Sequence, residues 1–564
     1  AVARLPLPQR MRWGSGEVEF LRPVHWVLLL HGSALIETEV LGLATTRQSR
    51  GHRFLHPDPI PLAHSDDYLR LLHDPGHVLA DPAPRRARIE QQLHRVAASV
   101  NGCAAPEAAL LDEVTALVEW PVAILGRFPE RYLQLPDAVL LAVLQDQQRY
   151  FPLSDREDGK RLPAFVVIAN MDGPALERIR HGNERVVVPR LADAEFFMQR
   201  DLQRPLADYR AGLDALVFHR RLGSMADKSR RLEALAAWVA ARLGMEEAPV
   251  RRAAALCKCD LLTDLVGEFP RLQGICGGHY ARHGGESEAV AVAIGEHYHP
   301  AFAGDTIPAG SLGRILALSD KLDSIVAFFA IGERPGSDKD PYGLRRAALG
   351  CLRILIEGEL PLPAEDVVQA AVGEAAAADT VPAVLAFLAE RLRAWYLEQG
   401  CHPDRFDAVL ARGLGAPLDF HRRMQAVAAF LRLPEAAALA AANKRIGNLL
   451  RKADAPPGAD FSTALLREPA EQALAAAYGD LAEALAPLLA ARDYGGCLQR
   501  LAQLQPVVDR FFDEVLVMCE DAQLCANRLA LLRLLADQCN QVADLSRLAA
   551  AAAAERGTRA TAEP

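Results

Sequence analysis

The sequence predicts a multidomain, mainly α-helical protein that opens with an α+β module. Three observations lead there. A chain of 564 residues exceeds what a single hydrophobic core sustains. Its first stretch, to about residue 60, is β-rich and punctuated by Gly, Pro and Ser. From Pro205 onward, apolar residues recur at helical spacing instead.

Within the first module, Glu17–Phe20, Val24–Leu30 and Leu35–Val40 read as strands, and Gly14-Ser-Gly16 sits in a hairpin context. A helical stretch follows near 66–100. Further strands are expected at Val118–Leu125 and Phe165–Ala169, the second ending at Asn170 before an Asp172-Gly173-Pro174 turn. This α+β module spans 1–204. The chain opens Ala-Val-Ala-Arg, without a starting Met or an apolar leader, and is expected to begin mid-module.

Residues 205–360 form the next, helical domain. Its clearest helix is Leu344–Ile356, where Leu344, Ala347, Ala348, Cys351, Leu352, Leu355 and Ile356 make a buried stripe. Arg346 and Arg353 share another face, and Asp340-Pro341 is expected to start the helix with Pro in its first turn. Pro361-Leu362-Pro363 breaks the pattern. A helical linker covers 361–403, an all-helical domain 404–548, and a disordered Ala-rich tail 549–564.

Net charge is −9, which speaks against a uniformly basic nucleic-acid binder but leaves room for a local basic face. Only seven of the 63 basic residues are Lys: 160, 228, 258, 321, 339, 444 and 452. In so Arg-rich a chain, a retained Lys points to a need for a compact ammonium rather than a planar fork. The ten cysteines lack any C-x-x-C pair and lie mostly in apolar helical contexts, as in a reducing cytoplasm. No uncharged apolar run approaches the ~18 residues of a membrane span.

Nucleotide chemistry leaves no signature. There is no G-x-x-x-x-G-K-[ST] loop, no G-x-G-x-x-G, no G-x-S-x-G and no H-E-x-x-H. Ser224–Ser229 is only a short, degenerate likeness of the class I synthetase nucleotide loop. No catalytic residue is assigned.

Two constellations remain. In the middle domain, Lys228, Lys258-Cys259-Asp260, Asp320-Lys321-Leu322-Asp323 and His297 resemble in their order an HD-type phosphohydrolase. That metal site needs a His, a His-Asp pair and a distant Asp, whereas Lys228 and Cys259 stand at two of the His positions. An ammonium cannot ligate a metal but can replace its charge beside orphaned carboxylates. The expectation is a salt-bridged relic built from Lys228, Asp260, Asp320, Lys321 and Asp323, with no metal. The alternative is a metal-dependent phosphohydrolase using Asp260 and Asp323. Zinc held by Cys257, Cys259, Cys276, His279 and His283 is disfavoured, because two cysteines two apart on a helix diverge by about 200°.

The second constellation lies in 443–452. Ile446, Leu449 and Leu450 make an apolar stripe, while Lys444, Asn448 and Arg451 share a polar face at i, i+4, i+7. Asn443, Arg445 and, further on, Asn527-Arg528 add amides and charge that suit phosphates and base edges. A solvated helix face is the plain alternative.

Several long stretches together resemble the bacterial glycyl-tRNA synthetase beta subunit family. They include Met11-Arg-Trp-Gly-Ser-Gly-Glu-Val-Glu-Phe20, Ser49-Arg-Gly-His-Arg-Phe54, Gln147–Pro152, Gly182-Asn-Glu-Arg185 and Leu191–Phe197. Further on come Lys258–Pro270, Asp338–Arg346, Asn443–Asn448, Phe511–Met518 and Asn527-Arg-Leu529. The resemblance implies a cytoplasmic ligase subunit that joins an alpha subunit as alpha2beta2 and grips tRNA(Gly), with no role for DNA or a membrane. It implies that ATP and Mg act at the alpha subunit's class II site, with no cofactor on this chain. It further implies an editing-type first module, an HD-like middle near the acceptor stem and a C-terminal anticodon-binding domain. The tRNA contacts expected are Arg345, Arg346 and Lys339 on the acceptor side, and Asn443, Lys444, Arg445, Asn448 and Arg528 on the anticodon side. One departure is Pro335-Gly-Ser-Asp-Lys-Asp-Pro341, where the family reads Thr-Gly-Ser-Lys-Asp-Pro; the inserted Asp338 shifts the loop's charge beside Lys339.

Overall fold

The computed structural model describes residues 2–7, 9–336, 339–372, 379–453 and 460–548. The expected tail at 549–564 and the inserted Asp338 lie outside them. The chain divides into two compact units, Ala1–Gln203 with Thr263–Gln273, and Arg204–Leu262 with the residues from Gly274 on.

In the first unit the early strands are shorter than the β-rich sequence predicts. The expected strand at 24–30 is two, Val27–Leu28 and Leu30–His31, and 35–40 is split into Ala34–Leu35 and Glu39–Val40. Turns with positive φ at Gly32 and Gly42 follow Leu30–His31 and Glu39–Val40. Met11–Arg12 and Glu19–Phe20 do form the hairpin around Gly14.

The main sheet has four antiparallel strands in the order Gly102–Cys103, Phe151–Asp155, Arg161–Ala169, Val122–Arg127. The last two pair in unbroken register from Val122 opposite Ala169 to Arg127 opposite Ala164. Helices Pro82–Ala98 and Ala108–Leu117 bury Ile89, Leu93, Leu110, Leu111 and Val114 with Phe151, Leu153 and Val166 of the sheet. Pro82 at the first turn and the Asp81 side chain on the Ala83 N–H start the first of these helices.

A 26-residue helix, Leu176–Asp201, closes the first unit where the sequence offered only the end of a module. Its pattern is masked by Pro189 and many charges, yet Val187, Leu191 and Ala194 are buried at i, i+4, i+7. Asp201, itself buried, accepts from the N–H groups of Asp264 and Leu265 and so starts the short Asp264–Glu268 helix.

Among its described residues the second unit has helices and one small hairpin, Val217–His219 with Gly223–Ser224. Helix Ser311–Ala330 is buried on nearly every side and packs against Met225–Arg242, Glu288–Glu296 and Leu344–Glu357. A capping box between Ser224 and Asp227 starts Met225–Arg242, which gives the Ser224–Ser229 stretch a structural task. Leu344–Glu357 keeps its apolar stripe but begins later than expected. Gly343 is left-handed, Pro341 lies in the turn before the helix, and the Asp340 carboxylate caps the Leu344 and Arg345 N–H groups.

The C-terminal part stacks helices Pro403–Leu410, Pro417–Phe430, Ala436–Lys452, Pro469–Ala490, Tyr494–Ala502, Gln505–Glu514 and Ala522–Cys539. Pro469–Ala490 is apolar enough by length and composition to cross a membrane. Much of that hydropathy is alanine, and the helix carries Glu471, Asp480 and Glu483, so it is no sign of a span.

Candidate nucleic-acid interface

Helix Ala436–Lys452 turns Leu439, Ala440, Asn443 and Ile446 inward and leaves Lys444, Arg445, Asn448, Arg451 and Lys452 exposed. Lys444 has no ion-pair partner among the described residues. The Arg445 guanidinium lies 4.3 Å over the Phe512 ring, which keeps the charge beside a partly exposed aromatic. Asn448 accepts a hydrogen bond from Arg451. The result is a row of cations and an amide on one face, a surface suited to an RNA backbone.

Two residues expected on this face are instead inside the protein. Asn443 is buried and donates from Nδ2 to Asn540 Oδ1 at 2.9 Å, joining two helices. Arg528 is only 4% exposed. Its Nε donates to Glu471 Oε2 at 2.6 Å and its Nη1 to the Leu516 carbonyl at 2.9 Å. Burial alone would raise the Glu471 carboxyl, but Arg528 and the backbone N–H groups of Glu468 and Arg467 hold it below the usual range. Neighbouring Asn527 is likewise buried, bonding the Ser462 N–H and carbonyl. A polar residue on an amphipathic helix is a natural candidate for the outer face, and only the packing reveals which ones turn in.

On the acceptor-side set, Arg346 and Lys339 are exposed and Arg345 is half-buried, donating to the Gly336 carbonyl. Arg353, expected on the same face as Arg346, pairs with Glu357.

The middle cluster is a buried ion network. Lys228 Nζ lies 2.9 Å from both Asp323 Oδ2 and Asp320 Oδ1, and also donates to Ser324. Lys258 Nζ reaches Asp320 Oδ2 at 2.9 Å and His297 Nε2 at 2.8 Å, and sits 4.0 Å over the Tyr298 ring. Arg231 pairs with Asp323 through Nε at 2.6 Å. Burial pushes Asp320 up, but Lys228 and Lys258 outweigh it and hold the carboxyl well below its usual range. Burial and the neighbouring Lys258 keep His297 neutral, with Nδ1 donating to the Ile294 carbonyl.

The relic expected from sequence is corrected at two residues. Asp260 serves the backbone: its carboxylate accepts from the N–H groups of Gly274 and Gly277 at the start of helix Ile275–His283. Lys321 donates to the Tyr298 and His299 carbonyls, 2.9 Å each, rather than to an aspartate side chain. Burial pushes its ammonium down to about 8. Lys258, the residue before the Cys-Asp pair, supplies the second ammonium beside Asp320. Cys257 and Cys259 are buried and donate to helix carbonyls of Ala254 and Ala255.

One arrangement in the first unit escaped the sequence reading. A cleft of about 830 Å3 is bordered by Phe54, Leu117, Arg53 and Asn183. Its wall is pinned by His52, whose Nε2 lies 2.7 Å from the Asn170 carbonyl. The Asn170 side chain in turn accepts from the Glu119 and Trp120 N–H groups.

The geometry finds its setting in comparisons with known proteins. The profile of the glycyl-tRNA synthetase beta subunit matches residues 1–411, and that of the DALR anticodon binding domain matches 439–545, which contains the basic face. The glycine–tRNA ligase beta subunit of Pseudomonas aeruginosa PAO1 is 47% identical over 550 residues, 96% of this chain and 80% of the relative. Those of Edwardsiella ictaluri and Shewanella amazonensis are each 45% identical over 97% of the chain and 80% of their own length. The chain therefore belongs to the glycyl-tRNA synthetase beta subunit family, as a ligase subunit whose C-terminal part is a DALR anticodon-binding domain.

Proposed function

We propose that this chain holds tRNA(Gly) and orients its 3′ end toward the class II active site of a separate alpha subunit, in an alpha2beta2 assembly in the cytoplasm. ATP and Mg act on the alpha subunit. The observation that carries this reading is the exposed row of Lys444, Arg445 and Asn448 inside the region that matches an anticodon-binding domain. Arg346, Lys339 and the half-buried Arg345 supply acceptor-side phosphate contacts in the same scheme. An HD-like ancestry for residues 205–360 fits the middle network, in which lysine ammoniums lie against the aspartates. With those carboxylates already neutralised, the network supports structure rather than a metal-dependent hydrolase.

Lys444→Glu tests the reading in the complex with the alpha subunit. tRNA affinity is expected to fall and the slope of log K against log salt to flatten by about one unit. Glycyl-adenylate formation needs no tRNA contact and continues. Unchanged affinity and slope would remove Lys444 from the interface.

A further inference from the structure

The basic face has an apolar neighbour that charge reading overlooks. Between helices Gln505–Glu514 and Ala522–Cys539 the chain runs through Val515-Leu516-Val517-Met518 with alternate residues in and out. Val515 and Val517 are buried, while Leu516 is 73% exposed and Met518 45%. No other large apolar side chain among the described residues is more exposed than Leu516. Four residues before it stands Phe512, under the Arg445 guanidinium.

Such a tip would ordinarily flex, yet its backbone is fixed from within. The Val515 N–H donates to the Phe511 carbonyl at 2.9 Å, ending the helix. One residue on, the Leu516 carbonyl accepts from Arg528 Nη1. Arg528 is anchored in turn on Glu471, whose other oxygen takes the Glu468 N–H at 2.7 Å. A buried charge pair that spends a guanidinium arm on one loop carbonyl fixes where that loop points.

We propose that Leu516 and Met518 form an apolar tip that packs on the face of an unpaired base in the tRNA loop gripped by Lys444 and Arg445, and that Arg528 is the positioning residue that sets the tip. This rests on the tRNA-binding reading above. RNA loops present splayed bases whose faces are apolar and whose backbone is anionic, and the tip and the cation row offer the complement of each. The tip accepts any base by its face, so it contributes affinity and geometry rather than a hydrogen-bond code.

The test separates tip from charge. In the complex with the alpha subunit, Leu516→Ala is expected to raise the Kd for a tRNA(Gly) transcript about tenfold with the salt slope unchanged, because an apolar contact releases no counterion. Melting temperature should not move, since the side chain is exposed. Arg528→Lys keeps the charge beside Glu471 but gives up the planar second arm. Its loss of tRNA affinity should overlap with that of Leu516→Ala in the double variant, whereas a purely structural role would lower melting temperature and leave the two losses additive. Full affinity in Leu516→Ala, alongside weakened binding in Lys444→Glu, overturns the tip and spares the basic face. Weakened association with the alpha subunit at unchanged tRNA affinity also overturns it, by assigning the tip to that partner. Full tRNA affinity in both variants sinks the parent reading instead.

Discussion

At the scale of single residues, lysine is the informative letter. Where arginine is the default cation, the lysines at 228 and 258 sit where a compact ammonium meets carboxylates inside the core. Lys228 touches both Asp320 and Asp323, so removing its charge strands two buried acids. Arg231 on Asp323 and Lys258 on Asp320 supply only part of the compensation. Lys228→Met is therefore expected to lower the unfolding free energy by about 3–5 kcal/mol in urea titration. A loss under about 1 kcal/mol would mean that water or rearranged partners satisfy the aspartates, and the network would not be a structural keystone. The pairing of Lys228 with the distant aspartates was legible in the sequence from residue order and ligand chemistry. The roles of Asp260, Asn443 and Arg528 were not, because each depends on a side chain turning inward to a partner on another segment: Gly274 and Gly277, Asn540, and Glu471 with Leu516.

At the scale of elements, periodicity predicted well where a helix has one buried stripe and poorly where charge or proline blurred it. Leu344–Glu357 was plain from its stripe, though Gly343 and the Asp340 cap moved its start past Pro341. Leu176–Asp201 went unseen although Val187, Leu191 and Ala194 mark its inner face. The first strands are shorter than their β-propensity suggests, because propensity shows which residues favour extension, whereas tight turns limit where pairing stops. Helix Ile275–His283 shows what a cap can do to pH dependence. Burial pushes Asp260 up to about 6, against the pull of the Gly274 and Gly277 N–H groups. The unfolded chain releases this proton near pH 4, and the folded one near 6. Between those values the folded state binds more protons, so stability falls as pH rises, by about 3 kcal/mol in all. Asp260→Asn keeps an oxygen for the helix N–H groups and cannot titrate. Measured by urea unfolding from pH 4 to 7, the parent protein should lose stability relative to this variant as pH increases. A constant difference would place the Asp260 carboxyl in the usual range.

At the scale of the whole molecule, the division of labour proposed above accounts both for a sequence without the familiar nucleotide-loop motifs and for relatives named as ligase subunits. Activation of glycine consumes ATP, and in that division it belongs to the alpha subunit, while the aspartates at 320 and 323 of this chain are paired with lysines. Transfer to tRNA needs instead a large, rigid surface with cations in the right places, since a misplaced 3′ end costs orders of magnitude in rate. Helical domains supply that surface cheaply, which is why an overall acidic chain can still carry a local basic face. The expected outcome is sharp when the two steps are assayed separately. The alpha subunit alone should exchange pyrophosphate in the presence of glycine and ATP, yet charge tRNA(Gly) at least about a hundredfold more slowly than the full complex, the scale on which lost positioning acts. Adding this chain should restore charging through kcat/KM for tRNA while leaving KM for ATP where it was. If this chain adenylates glycine unaided, or if the alpha subunit charges tRNA equally well without it, the division proposed here is wrong.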